Sequence, residues 1–263
     1  MLLSIIIPVF NEESTIERVL RKLLGTPFPC HIEIIVVDDG STDRTRELLD
    51  DLNRDNIFKV HTSLINLGKG AAVRFGLEYA EGDYVVIQDA DLELNPEDIL
   101  RLLDAVEADS VDVVYGSRFK SRMITGTRVP RLTILANRIL TGYTNILYGS
   151  RLTDMATAYK LVRADIMKSI DLRCVGFEFD AEITAKLLRL GHRIVEVPIS
   201  YQARSLEEGK KISWRDGFRF IYFLTAYRIQ PGDTLLKRAL RGRRPGKNGH
   251  RDHEGASASR GMR

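Results

Sequence analysis

The chain opens with Leu2-Leu3-Ser4-Ile5-Ile6-Ile7-Pro8-Val9-Phe10, a branched apolar run without alternation. Such a run predicts a strand buried on both faces. Asn11-Glu12-Glu13-Ser14 breaks it, and Ile16, Val19, Leu20, Leu23 and Leu24 then recur at the spacing of an amphipathic helix, with Ser14 or Asn11 near its cap. The alternation repeats. Ile32 to Val37 predicts a second buried strand ending at Asp38-Asp39-Gly40-Ser41-Thr42-Asp43, and a helix follows through Leu48, Leu49 and Leu52. A short strand is expected around Phe58 to Thr62, and Gly68-Lys69-Gly70 opens a helix from Ala71 to Ala80. Tyr84 to Gln88 reads as a strand ending at Asp89-Ala90-Asp91, Asn95-Pro96-Glu97 starts a helix with proline in its first turn, and Val111 to Gly116 is again a strand.

Strands alternating with helices argue an α/β fold with a mostly parallel, doubly wound central sheet. Ligands of such sheets sit beyond the carboxyl ends of the strands. The residues in those places are acidic: Glu12/Glu13, Asp38/Asp39/Asp43 and Asp89/Asp91/Glu93. Residues two apart on an extended chain point the same way, so the carboxylates of Asp89 and Asp91 can face one ion. Their hard oxygens suit Mg²⁺ or Mn²⁺, which would leave coordination sites for the phosphates of a nucleotide. The plain alternative is a polar turn that closes a strand. Asp39 could accept the imide N–H of a base, while Ser41 or Thr42 could cap the next helix. Gly68-Lys69-Gly70 lacks the spacing of a phosphate loop, and no G-x-G-x-x-G follows the first strand, which argues against a dinucleotide-binding domain.

Composition narrows the setting. An apolar fraction of 44% and a charged fraction of 29% over 263 residues belong to a folded globular chain. No stretch approaches the roughly 18 uninterrupted apolar residues of a membrane span, and no basic segment precedes the opening strand as a secretory signal would require. Cys30 and Cys174 cannot build a disulfide framework and read as reduced thiols of a cytoplasmic protein. The net charge of +3 is uneven: residues 231–263 hold nine Lys or Arg against Asp233, Asp252 and Glu254. That segment reads as a basic tail behind a near-neutral body.

With these residues in hand, a family can be named. Ile5-Ile6-Ile7-Pro8-Val9-Phe10-Asn11-Glu12, Val36-Val37-Asp38-Asp39-Gly40-Ser41-Thr42-Asp43, Asn66-Leu67-Gly68-Lys69-Gly70 and Asp89-Ala90-Asp91 resemble glycosyltransferase family 2, whose fold is the Rossmann-like GT-A fold. Gly116-Ser117-Arg118 and Glu196-Val197-Pro198-Ile199 bring it nearer the dolichyl-phosphate mannose or glucose synthases. The resemblance spans roughly residues 1–230. It implies that Pro8, Phe10, Glu12, Val37 and Asp39 hold the base and ribose of a nucleotide-sugar donor, with Ala90 beside them. It implies a metal at Asp89, Asp91 and Glu93, donor phosphates at Arg204 and Lys210, and an acceptor phosphate at Arg118, Arg128 and Arg131. Asp154 becomes the candidate general base or acceptor positioner, although Ala156 and Ala158 depart from the family's pattern around it, as Phe10 and Glu93 do where relatives often carry Tyr and Gln. The basic run Arg118, Lys120, Arg122, Arg128, Arg131, Arg138 contains no acid and would repel itself without an anion nearby.

Trp214 to Ile229 is the most aromatic stretch. As a helix of about 24 Å it is too short and too charged to span a bilayer. It suits either a helix lying in a membrane interface or one packed on the body or on a second copy. The segment from Arg204 to Lys211 reads as a lid hinged at Gly209. The expected layout is a catalytic domain over 1–211, an amphipathic interface helix over 212–230 and a tail over 231–263. The expected activity is metal-dependent, inverting transfer of a hexose from a GDP-mannose or UDP-glucose type donor to a polyprenyl phosphate. Membrane contact runs through 213–229 and the tail, a homodimer is possible and no nucleic-acid partner is expected. A soluble glycan or metabolite acceptor, or a nucleotide-sugar-binding module without turnover, are the alternatives.

Overall fold

The computed structural model describes residues 1–120, 124–126, 131–203, 214–232 and 236. The first half runs β1 (Leu2–Val9), α1 (Ile16–Gly25), β2 (His31–Asp38), α2 (Thr45–Leu52), β3 (Lys59–Thr62), α3 (Lys69–Tyr79), β4 (Tyr84–Ile87) and α4 (Asp98–Asp109). The second half runs β5 (Val113–Ser117), β6 (Ile124–Gly126), α5 (Arg131–Tyr148), β7 (Lys160–Arg163), α6 (Ala164–Ser169), α7 (Phe179–Arg189), β8 (Ile194–Pro198), β9 (Tyr201–Ala203) and α8 (Trp214–Ile229). Seven strands form one sheet in the order β3-β2-β1-β4-β7-β5-β8, and β6 pairs with β9 in a small second sheet.

The unbroken apolar run of β1 is explained by its position. It lies between β2 and β4, parallel to both, with Ile6 opposite Ile35 and Ile87. Leu3, Ile5, Ile7 and Val9 enter the core shared with α1, α2 and α4, while Ile6 enters the core on the other face with α3, α6 and α7. A strand covered on both faces has no polar side to alternate with.

The mostly parallel sheet matches the sequence expectation. Strands β6, β7 and β9 were not announced by any alternation, and of these only β7 enters the main sheet. β7 lies antiparallel between β4 and β5, with Val162 opposite Val85 and Val113. Its first residue, Lys160, is fully buried, and a lysine at a strand start hides the strand from a hydrophobic pattern. Two cap assignments are also corrected. Asn11 adopts a left-handed φ of 52° and its Oδ1 accepts the Thr42 N–H at 2.8 Å, so it ties two loops together. The N–H groups of Thr15 and Ile16 go to the carbonyl of Glu12. At α2 the Thr45 N–H goes to Asp43 Oδ1 at 3.0 Å, and neither Ser41 nor Thr42 caps it. Cys30 and Cys174 are both free, and burial pushes the Cys174 thiol up to about 12.

Candidate active site

The carboxyl ends of β1, β2 and β4 converge on a cavity of about 360 Å³. β1 and its following turn supply Pro8, Val9, Phe10 and Glu12, β2 supplies Asp39, and the start of α3 supplies Gly68, Lys69 and Ala72. Asp89, Ala90, Asp91, Glu93 and Leu94 follow β4, and Arg118 follows β5. Ala156, Ala158, Phe177, Asp180 and Tyr201 close the remaining wall. The sequence-predicted Pro8, Phe10, Glu12, Asp39, Asp89, Ala90, Asp91, Glu93 and Arg118 are thus brought together from four separate loops. Val37 is not among them. It is 3% exposed and packs in the core beneath α3, because the residue before the strand end faces into the sheet layer.

Asp38 and Asp39 find partners within the chain. Asp38 Oδ1 accepts the Ser41 N–H at 3.0 Å. Asp39 Oδ1 and Oδ2 accept the N–H groups of Leu67 and Gly68 at 2.9 and 2.6 Å. Burial raises the Asp39 carboxyl above its ordinary pKa despite those two amides. Gly68 sits at φ +102°, and a Cβ there would lie 2.5 Å from the Val175 carbonyl oxygen, so the turn that presents both amides to Asp39 requires glycine.

Lys69 is the functional residue that spacing alone missed. Its Nζ lies 2.8 Å from Asp89 Oδ1 and 3.9 Å from Asp180 Oδ2. Burial disfavours its ammonium, but Asp89 and Asp180 outweigh that and hold its pKa above the usual lysine value. Asp180 in turn takes the ammonium of Lys160 at 2.6 Å. The signals for Asp180 and Lys160 lie far from the acidic strand ends, in Phe177-Glu178-Phe179-Asp180 and at the head of β7.

The carboxylates expected to hold a metal, Asp89, Asp91 and Glu93, all line the cavity, and each has a partner within the chain. Asp89 is paired with Lys69, Asp91 Oδ1 accepts the Glu93 N–H at 3.1 Å, and Glu93 Oε2 accepts the Tyr201 hydroxyl at 3.0 Å. Among the described residues no three His, Cys, Asp or Glu side chains converge as a ligand group. What the cavity does offer is Asp91, a hard oxygen donor on its wall, which fits a Mg²⁺- or Mn²⁺-sized ion that takes its other ligands from phosphate and water.

Asp154, expected as general base or acceptor positioner, stands behind the wall. It is fully buried and does not line the cavity. Its carboxylate takes Arg118 in a two-pronged pair, Nε to Oδ2 at 2.7 Å and Nη2 to Oδ1 at 2.8 Å, and also accepts the Arg118 backbone N–H. A carboxylate so engaged fixes the orientation of an arginine. Glu196 steadies the pair by accepting the N–H groups of Thr153 and Asp154. Arg118 stacks over the Tyr201 ring at 5.2 Å, which links it to the residue holding Glu93. Arg128, Arg204 and Lys210 lie outside the described residues, as does the side chain of Arg131, whose backbone opens α5.

A profile of the family described as Glycosyl transferase family 2 matches residues 4–171. The chain belongs to glycosyltransferase family 2. The undecaprenyl-phosphate mannosyltransferase of Micrococcus luteus is 34% identical over 215 residues, 78% of this chain and 85% of that protein. The low-salt glycan biosynthesis hexosyltransferase Agl6 of Haloferax volcanii is 28% identical over 84% of this chain, which spans 52% of that longer protein. Glucosyl-3-phosphoglycerate synthase from Mycobacterium tuberculosis, crystallised with Mn²⁺, uridine diphosphate and phosphoglyceric acid, has the same fold. It superposes with a TM-score of 0.67 at 22% identity, over 87% of this chain and 79% of that one. The family 2 motifs therefore sit where the fold gathers them, around one cavity at the strand ends.

Proposed function

We propose that the chain is a metal-dependent, inverting hexosyltransferase that passes a hexose from a nucleotide sugar to a polyprenyl phosphate. The observation that carries the reading is Arg118, a guanidinium locked by buried Asp154 and presented on the wall that also holds Asp89 and Asp91. Asp154 and Ala156 take the Nε and Nη2 donors and fix the plane, so Nη1 is the nitrogen proposed to donate to a phosphate oxygen. The name of the Micrococcus relative supports the same acceptor class.

Pro8, Phe10 and Glu12 enclose the base and ribose, and Asp39 keeps a lone pair on each oxygen for a base N–H after accepting its two amides. A divalent cation bound by Asp91 together with the donor's diphosphate would supply positive charge to the leaving group. Arg204 and Lys210 clamp the donor phosphates, and Arg128 and Arg131 join Arg118 on the acceptor. An acceptor phosphate oxygen forms the new bond to the anomeric carbon as the bond to the diphosphate breaks, the electron pair leaving with the nucleoside diphosphate. That oxygen already carries charge near neutral pH, because a phosphate monoester's second pKa is about 6. No general base is needed, which agrees with Asp154 being committed elsewhere; positioning supplies the help.

The decisive experiment offers GDP- and UDP-hexoses with Mn²⁺ to the full chain, using a short-chain polyprenyl phosphate or a soluble sugar as acceptor. Lipid-linked hexose with release of nucleoside diphosphate is the expected product. Transfer to the soluble sugar alone would overturn the acceptor assignment.

The contact with the membrane is proposed through α5 and α8 together. No described helix is long and apolar enough to cross a bilayer. The inner face of α8 packs on the body through buried Phe220, Leu224 and Tyr227, and its partner α5 is joined to it by Tyr143 to Thr225 and Arg228 to Leu147. Both helices expose apolar side chains outward: Leu135, Ile139 and Ile146 from α5, Phe218, Ile221 and Tyr222 from α8. Exposed Arg138, Arg219 and Arg228 accompany them, the arrangement of a surface that rests on anionic lipid. Ile139→Asp with Phe218→Asp is expected to reduce cosedimentation with phosphatidylglycerol vesicles about tenfold or more, since each buried apolar side chain is worth about 1.5–3 kcal/mol. Unchanged vesicle binding, or a dimer that the double variant dissolves while vesicles are ignored, would count against the membrane assignment.

A further inference from the structure

We infer that Lys69 is a resident counter-cation that occupies Asp89 until the donor arrives, so that a divalent ion binds with the nucleotide's diphosphate and not ahead of it. The inference rests on the reading of Asp91 as the ion's protein ligand and adds an order of binding to it.

Four side chains carry the argument. Lys160, Asp180, Lys69 and Asp89 form a row of alternating charge leading from the interior to the cavity wall. Lys160 is fully buried and sits on Asp180 Oδ1, so the charge of Asp180 is already met from behind. Lys69 is therefore matched to Asp89, at 2.8 Å, with only a longer contact of 3.9 Å to Asp180. The Lys69 side chain is 11% exposed. Its backbone is held on both sides, by the Asp39 contact to the Gly68 N–H and by the close approach of Gly70 to the Cys174 carbonyl, where a Cβ would lie 2.5 Å away.

In a cleft of low effective dielectric the repulsion between a dication and that ammonium is strong. With Asp89 matched to Lys69 and Glu93 engaged by Tyr201, the single negative charge of Asp91 is less than a dication carries. A nucleoside diphosphate supplies the rest, because it brings several oxygens and more than one negative charge to the same corner, and Mg²⁺-type ions are commonly held by one or two carboxylates plus substrate phosphates. Lys69 then has diphosphate oxygens to face as well as Asp89. Without it, Asp89 and Asp91 would stand as a preformed pair able to take the ion alone.

The test measures Mn²⁺ binding to the full chain from the paramagnetic resonance of free Mn²⁺, without nucleotide and with GDP or UDP, beside melting curves. Wild-type protein is expected to bind Mn²⁺ about tenfold or more tightly with a diphosphate than without. Lys69→Met should tighten nucleotide-free binding by about the same factor, and Lys69→Arg should keep the wild-type pattern. Equal wild-type affinity with and without diphosphate overturns the inference, and this arm needs no variant to fold. A folded Lys69→Met protein with unchanged nucleotide-free affinity overturns it too. If Asp91→Asn leaves diphosphate-dependent Mn²⁺ binding intact, the metal-ligand reading itself fails, an outcome separable from the Lys69 arms.

Discussion

Asp154→Ala is expected to destabilise the protein by about 3–5 kcal/mol, the usual cost of removing one partner from a buried ion pair. Arg118 would keep its charge in a largely enclosed place and lose both prongs of its carboxylate partner. The readout is urea unfolding, with a lower midpoint at unchanged slope marking a loss of stability and not a change in the denatured chain. Activity should fall with it, chiefly as a raised KM for the phosphate acceptor, since Arg118 would no longer be held in place. A general base behaves differently. Asp154→Asn would then leave the unfolding midpoint near wild type, reduce kcat, and change the pH profile of the reaction. A midpoint within error of wild type in the alanine variant would return Asp154 to the role its place in the family pattern implied.

Asp91→Ala should lower the rate of sugar transfer by about 10²–10³-fold, the size associated with removing one preorganised electrostatic partner of a transition state. Its side chain lies on the cavity wall, where it accepts the Glu93 N–H of its own turn. The melting temperature should therefore move little. Nucleoside diphosphate affinity, measured by calorimetry with Mn²⁺ and again with EDTA, should become the same under both conditions. Retention of the metal effect in this variant would remove Asp91 from the site and leave Asp89, already neutralised by Lys69, as a poor substitute.

The two substitutions separate what patterning revealed from what it did not. Asp91 was legible because an acidic pair two residues apart closes an apolar strand, and a parallel sheet opens its ligand site at that edge. Glu12 and Asp39 were legible for the same reason, each following a strand, while Phe10 and Arg118 came from the family resemblance. Val37 was misplaced because it lies inside β2, short of the strand end where the chain turns into the cavity, and its side chain packs in the core under α3. Asp154 was found, but its pairing with Arg118 was not. Its partner Arg118 stands 36 residues earlier in sequence, and nothing local says which of many arginines a buried carboxylate will meet. The aromatic stretch 214–229 left two alternatives open. One face of the helix, with Phe220, Leu224 and Tyr227, packs on the body, while Phe218 and Tyr222 stay exposed on the face proposed to meet the membrane.

The sequence by itself determined the alternation of strands and helices, the parallel core around β1, and the acidic strand ends that mark the cavity, because these depend on local periodicity and on chain direction. Tertiary structure alone decided how the charges pair. Lys69 meets Asp89, Lys160 meets Asp180 and Asp154 meets Arg118 across separations of 20 to 36 residues. Electrostatic energy depends on distance in space and on the loss of water around each group, and neither quantity is written along the chain.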